Sequence, residues 1–359
     1  MNIYWFWLAN LPGIGPVTSN KLLKYFSSPK EIYDAKEQEL RQILKPAQIN
    51  TIMNQRDLEK MEREWNRLRE KKIYFIHRES AEYPERFRTL ADAPVGFYLK
   101  GKMPIESKRS IAIVGARNAS AYGMEMALYF SKSLAGAGIN IISGLAYGID
   151  KQAHIGALES GGYTMGVLGC GINICYPREH YSLFEKMQDK GGVLSEFSLD
   201  ENPKACNFPM RNRLISALAD GVLVVEAKEK SGSLITVEFA LEQGIDVFAV
   251  PGRLGEANSV GCNRLIQEGA KLVMEPDDIL EEYGITDSFV HNELKNAENN
   301  LALKEKMVYS VLSLEAKFVD EIIESTKLCV QETLSALFSL ELKGYVKQVV
   351  KNYYIKSVK

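Results

Sequence analysis

Of 359 residues, 46% are hydrophobic and 25% charged, a balance that excludes a disordered or fibrous chain and leaves room for two or three domains. Forty-four basic residues against 46 acidic ones give a formal charge of -2, so a nucleic-acid partner would have to be met by a local patch, not by a global positive field. No apolar run reaches the roughly 18 residues of a membrane span, and the start MNIYWFWLANLPGIG lacks the basic lead of a signal peptide, which reads as a soluble, cytoplasmic protein.

Residues 1–70 follow a helical pattern. LPGIGPVTSNKLLKYF sets two glycines between an apolar lead-in and a helix, as in a helix-hairpin-helix element. Its N–H groups serve either a DNA phosphate or packing alone. RDLEKMEREWNRLREKK alternates charge along a helix and reads as a solvated face. KKIYFIH and PVGFYLKG then have the composition of short strands, and residues 71–109 read as a connector belonging to an extended core over 71–284.

From Ser110 to about Gly284 the apolar runs IAIVG, INIISG, TMGVLG, GVLSE, GVLVVEA and DVFAVPG alternate with helical stretches. Unbroken apolar runs suit strands covered on both faces, which predicts an α/β domain with a doubly wound, Rossmann-like parallel sheet. Residues 285–300 are polar and aperiodic, a linker. Over 301–359, three helical segments and the alternating YVKQVVKNYYIK give the order of a winged helix, for DNA or for protein. The five cysteines are scattered, without a CxxC pair or metal-ligand spacing, and read as reduced thiols.

In an open α/β sheet ligands sit beyond the carboxyl ends of the strands, so those ends are where chemistry is sought. Gly115 with Arg117, and Ser143 with Gly144, close two runs. Such glycines either admit an anion to backbone N–H groups or simply allow a tight turn. Arg211, Asn212 and Arg213 open a helix, where cations oppose its dipole unless a phosphate or an internal acid such as Glu196 or Glu226 sits nearby. Phe208 just upstream is either a stacking platform or a buried ring, and Lys204 lies close in sequence. Ser231, Gly232, Ser233 and Thr236 suit a phosphate nest or an ordinary helix cap. His154 follows Asp150 by four residues, as an acid/base pair or a structural contact. GxGxxG, Walker A, GxSxG and HExxH patterns are all missing, so no cofactor, metal or catalytic residue is expected.

Together, VGARNASAYG, SGLAYGIDKQAHIGAL, GGYTMGVLGCGINICYP, GGVLSEF, FPMRNRLISALADGVLVVEAKEKSGSLITVEFALEQG and VFAVPG followed by GCNRLIQEGA closely resemble the DNA-processing protein A (DprA, or Smf) family over about 110–275. The resemblance implies a non-catalytic single-stranded DNA binder that forms a homodimer through its Rossmann-like domain, protects incoming DNA and loads the RecA recombinase in natural transformation. Carried over by motif, the DNA contacts would be Gly115, Arg117, Ser143, Gly144, Phe208, Arg211, Asn212, Arg213 and the run from Ser231 to Thr236, with Lys204 near the family's basic position. Ile245 stands where an arginine is common, which would remove a phosphate contact, and His180 where an asparagine is common. The alternative is a protein that binds nucleotides without turnover or hydrolyses them as a phosphoribohydrolase-like enzyme, because SGSLITVE loosely resembles that enzyme group's loop. Glu238 would then act at a ribosyl bond while Arg117 held the phosphate.

Overall fold

The computed structural model describes residues 2–285, 301–313 and 316–356. Contacts divide the chain into two units, Met1–Tyr283 and Gly284–Lys359. The expected linker lies almost wholly outside the described residues.

Six short helices open the first unit, and prolines start three of them: Pro16–Tyr25, Pro29–Asp34 and Pro46–Asn54. Proline costs nothing there, because the first helical N–H has no intrahelical acceptor. Their apolar faces close over Trp5, Trp7, Leu22, Ile32 and Ile52, and the Trp7 indole donates to the Gln55 carbonyl at 2.9 Å. Gly13 turns the hairpin with φ +70°, and nothing crowds Gly13 or Gly15, so this hairpin stays open to solvent.

The nine strands of the sheet are β1 (Tyr74–His77), β2 (Gly96–Gly101), β3 (Ser110–Val114), β4 (Asn140–Ser143), β5 (Thr164–Val167), β6 (Gly192–Ser195), β7 (Gly221–Val224), β8 (Asp246–Ala249) and β9 (Lys271–Leu272). Their order is β1-β2-β6-β5-β4-β3-β7-β8-β9, parallel from β6 to β9. Every residue of β3 to β7 is buried, as strands flanked by helices on both sides must be.

Two features depart from expectation. The connector over 71–109 is part of the sheet, since β1 and β2 pair antiparallel and β2 continues onto β6 through Tyr98 and Ser195. The short edge strand β9 extends the opposite side.

Sequence order runs from β3 through β4 and β5 to β6 on one side, then jumps to β7 on the other side of β3. The chain therefore diverges after β3 and β7, and a crevice opens above their carboxyl ends.

In the second unit, helices Leu303–Val311, Val319–Thr326 and Val330–Leu342 pack around Val308, Ile322, Leu337 and Leu340, with a three-stranded sheet that completes a winged helix. Helix Val330–Leu342 carries no lysine or arginine, and Val330, Leu334, Phe338 and Leu342 are exposed along it.

Candidate nucleic-acid interface

The crevice between the β3 and β7 ends is a cleft of about 850 Å³. Its walls are the turn after β3, the turn after β4, the segment around Tyr176, the start of helix Asn207–Ala217 and the loop after β7.

Three charged groups at this end of the sheet, Glu226, Asp150 and Arg211, are consumed by the protein itself. Helix Ala121–Gly136 begins at Ser120, whose hydroxyl caps the Gly123 N–H at 3.0 Å. The buried Glu226 carboxylate accepts the Ser120 N–H at 2.9 Å and also its hydroxyl. An internal carboxylate thus takes the anion position that a helix N-terminus offers. Gly123 leaves the room, since a Cβ there would lie 2.3 Å from the Glu226 carboxyl carbon.

After β4 the arrangement is similar. The Ser143 hydroxyl donates to the Ile113 carbonyl at 2.7 Å, and Asp150 accepts the N–H groups of Gly144 and Ala146 at 3.1 and 3.3 Å. Arg211, only 3% exposed, donates to the Gly144 carbonyl at 2.8 Å and to the Val167 carbonyl. A side chain on Gly144 would collide with Arg211 and Asp150 at 2.6 and 2.8 Å, so glycine here makes space for a buried guanidinium and a buried carboxylate. Burial pushes the Arg211 pKa down to about 10, opposed by Asp150. The Asp150 carboxyl is pushed up by burial, against the pull of Arg211.

Several expected DNA contacts are therefore internal. Ser143 and Gly144 support the floor and do not line the cleft. Arg211 reaches the floor but spends its donors on carbonyls. Arg213 is outside the cleft altogether: at 2% exposure it binds Asp92 at 2.6 Å and Glu196 at 2.7 Å. Burial opposes its charge, yet Glu196 and Asp92 hold the guanidinium above its ordinary range. Of the two acids considered as arginine partners, Glu196 is one and Glu226 is not. Lys204 points away into an ion pair with Glu201 at 3.0 Å, while its neighbours Pro203 and Ala205 line the wall. Ile245 precedes β8 at the other end of the sheet and packs against the core, so its departure from arginine takes nothing from the cleft.

His154 and Asp150 form no pair. The His154 ring meets the Thr164 hydroxyl at 2.7 Å, while Asp150 serves the β4 turn. His180 is buried against the Leu145 carbonyl at 3.1 Å.

The remaining residues converge. Gly115, Arg117, Phe208, Asn212, Ser231, Gly232, Ser233 and Thr236 all line the cleft. Asn212 donates to the Gly232 carbonyl at 3.2 Å, and the Ser231 and Ser233 hydroxyls lie 2.8 Å apart ahead of helix Leu234–Glu242. The exposed Arg117 guanidinium sits 5.3 Å from the Phe208 ring centre. Sequence reasoning missed Lys228 and Lys230, exposed on the same wall, and Tyr147 and Tyr176 at the mouth. The signal was present in EAKEKSGS, where the lysines directly precede the serine loop. Among the described residues neither lysine nor Arg117 is held in an ion pair, so three cations face the cleft uncompensated.

Comparison with known proteins agrees in fold and extent. Residues 74–284 match the family described as DNA recombination-mediator protein A, and residues 292–350 match the DprA winged helix domain. Protein Smf of Escherichia coli is 39% identical over 286 residues, covering 78% of this chain and 76% of that protein. The X-ray structure of DNA processing protein A from Streptococcus pneumoniae superposes with a TM-score of 0.69 at 34% identity, over 79% of this chain and 98% of that one. DNA processing protein A from Helicobacter pylori, whose structure concerns its single-stranded DNA binding mode, gives 0.53 at 28% identity, over 59% and 95% of the two chains.

Proposed function

The chain belongs to the DNA recombination-mediator protein A family, and from that premise we propose that it binds single-stranded DNA in the switch-point cleft without catalysing a reaction. One observation carries this reading: Arg117, Lys228 and Lys230 stand unpaired around a cleft that also presents aromatic rings, in a chain whose net charge is -2. Local cations and ring faces are what a sequence-tolerant single-strand site requires. The binding mode named for the Helicobacter pylori protein supports the same ligand.

The family's description as a recombination mediator supports a further step, in which the protein protects incoming DNA in the cytoplasm and, as a homodimer, loads the RecA recombinase during natural transformation. The phosphoribohydrolase-like alternative needs Glu238 at the reacting bond. That residue is exposed on helix Leu234–Glu242 and is not among the residues lining the cleft.

The deciding experiment is fluorescence anisotropy of labelled oligothymidine and of a matched duplex across a salt series. Binding to the single strand in preference to the duplex, with a log-log salt slope near about -2 for three phosphates, is the expected result. Binding to neither would overturn the reading, and release of ribose phosphate from a nucleoside monophosphate would favour the enzyme. RecA filament assembly on strands precoated with the protein tests the loading step.

A further inference from the structure

The cleft contains three aromatic rings, and the one that the sequence motif singles out is the least available. Phe208 is enclosed on several sides. Gly169 backs onto it so closely that a Cβ there would lie 2.7 Å from the ring, Arg117 covers it at 5.3 Å, and Tyr176 leans on it at 5.6 Å with a 38° tilt. Tyr147 and Tyr176, by contrast, are 43% and 42% exposed. What sets these two apart from other exposed tyrosines is their place on the cleft, where a ring face and a polar tip can meet a ligand.

Tyr147 is also held in place, and Tyr176 rests against Phe208. The Tyr147 hydroxyl donates to Glu179 at 2.7 Å, and its ring meets His180 edge to face at 5.1 Å. On one side of it the Ala146 N–H is bound by Asp150. On the other, Gly148 takes φ +71° and approaches the Ala116 and Arg117 carbonyls so closely that a Cβ would lie 2.3 and 2.5 Å from them. The turn that carries Tyr147 is thereby docked onto the turn that carries Arg117. A ring fixed in advance loses little freedom when a base stacks on it.

We propose that Tyr147 and Tyr176 are the base-stacking platforms of the cleft, receiving unpaired nucleobases at its mouth, and that Phe208 is the buttress that sets Tyr176 and Arg117. This inference rests on the single-strand reading and adds the source of its preference over duplex. Bases paired inside a duplex cannot turn their faces onto these rings, whereas phosphates reach Arg117, Lys228 and Lys230 from either form.

The test compares oligothymidine with an abasic oligonucleotide of equal length, which keeps the phosphates and lacks the bases. For wild type, oligothymidine binds more tightly. Tyr147→Ala and Tyr176→Ala each lower oligothymidine affinity by about five- to hundredfold, as expected for one lost stacked base. Abasic affinity and the salt slope stay as they were; Tyr176→Phe restores binding because the ring remains, and Tyr147→Phe restores most of it, since it keeps the ring and loses only the Glu179 tether. Equal losses on both oligonucleotides, or none on either, would overturn the platform assignment while leaving the single-strand reading intact. Wild type that binds neither oligonucleotide would overturn both. Thermal denaturation of each variant shows that the fold is unchanged.

Discussion

The guanidinium of Arg117 lies 5.3 Å from the centre of the Phe208 ring, so the cation that heads the cleft is held over an aromatic face and makes no ion pair. A charge kept in this way is oriented yet still available to an anion.

Arg117→Ala is therefore expected to weaken single-strand binding and to lower the magnitude of the salt slope by about 0.7, one phosphate's worth. The residue is exposed, so the melting temperature should not move. Arg117→Lys keeps the charge and loses the planar contact, and should fall between the two. A slope unchanged by Arg117→Ala would remove this residue from the interface.

Lys228 and Lys230 make the same kind of contribution from the opposite loop. The double variant Lys228→Ala/Lys230→Ala should bring the slope from about -2 to below about -1 in magnitude, and Lys204→Ala, whose charge is already spent on Glu201, should change it little. Salt titrations of the two proteins side by side separate cleft cations from ones that are merely near in sequence.

Arg211 belongs to the fold. Arg211→Ala would leave the Gly144 and Val167 carbonyls without their donor and remove the nearby positive charge that offsets the burial of Asp150, a loss of about 1–3 kcal/mol that should appear first as a lower urea midpoint. Asp150→Asn in that background removes the stranded charge while an amide oxygen still accepts the Gly144 N–H, so part of the stability should return. Gly144→Ala is expected to be destabilising for the same reason, because its methyl group enters the space that Arg211 and Asp150 fill. Arg211→Ala that melts like wild type and only loses DNA binding would contradict this assignment.

The strands from β3 to β7 were legible because burial on both faces writes itself as a largely apolar run. The β1–β2 hairpin was legible as strands but not as part of the sheet, since its outer partner β6 lies far along the chain. With two residues, β9 is too short to carry a pattern. In the site, the position of the turn bearing Gly115 and Arg117 at the cleft was legible from its glycine and its place after a strand. The fates of the arginines were not. Helix Asn207–Ala217 starts ahead of them, so Arg211 and Arg213 lie in its second turn and do not open it, and whether the protein or a ligand meets their charge depends on contacts such as Arg213 with Asp92, 121 residues away. The tyrosines at the mouth carry no local signal, because exposure is set by the tertiary neighbours alone.

His154 gives the chain a defined sensitivity to acid. The Thr164 hydroxyl donates to the Ile141 carbonyl at 2.9 Å, so it must accept from His154, which places the ring proton on Nδ1 and leaves Nε2 buried without a partner. Burial pushes the imidazole pKa down to about 3, with His180 and Arg211 adding to the effect. The unfolded chain takes up this proton near its ordinary value of about 6.5 and the folded chain does not. Stability from this group is therefore fully present above about pH 6.5 and is lost as pH falls toward 3, with a limiting slope of about 1.4 kcal/mol per pH unit. His180, whose pKa burial also lowers, adds a parallel contribution. His154→Gln should lose some stability at neutral pH and show a shallower decline between about pH 6 and pH 4, measured as the urea midpoint at each pH. A decline as steep as that of wild type would mean that His154 is protonated in the folded protein after all.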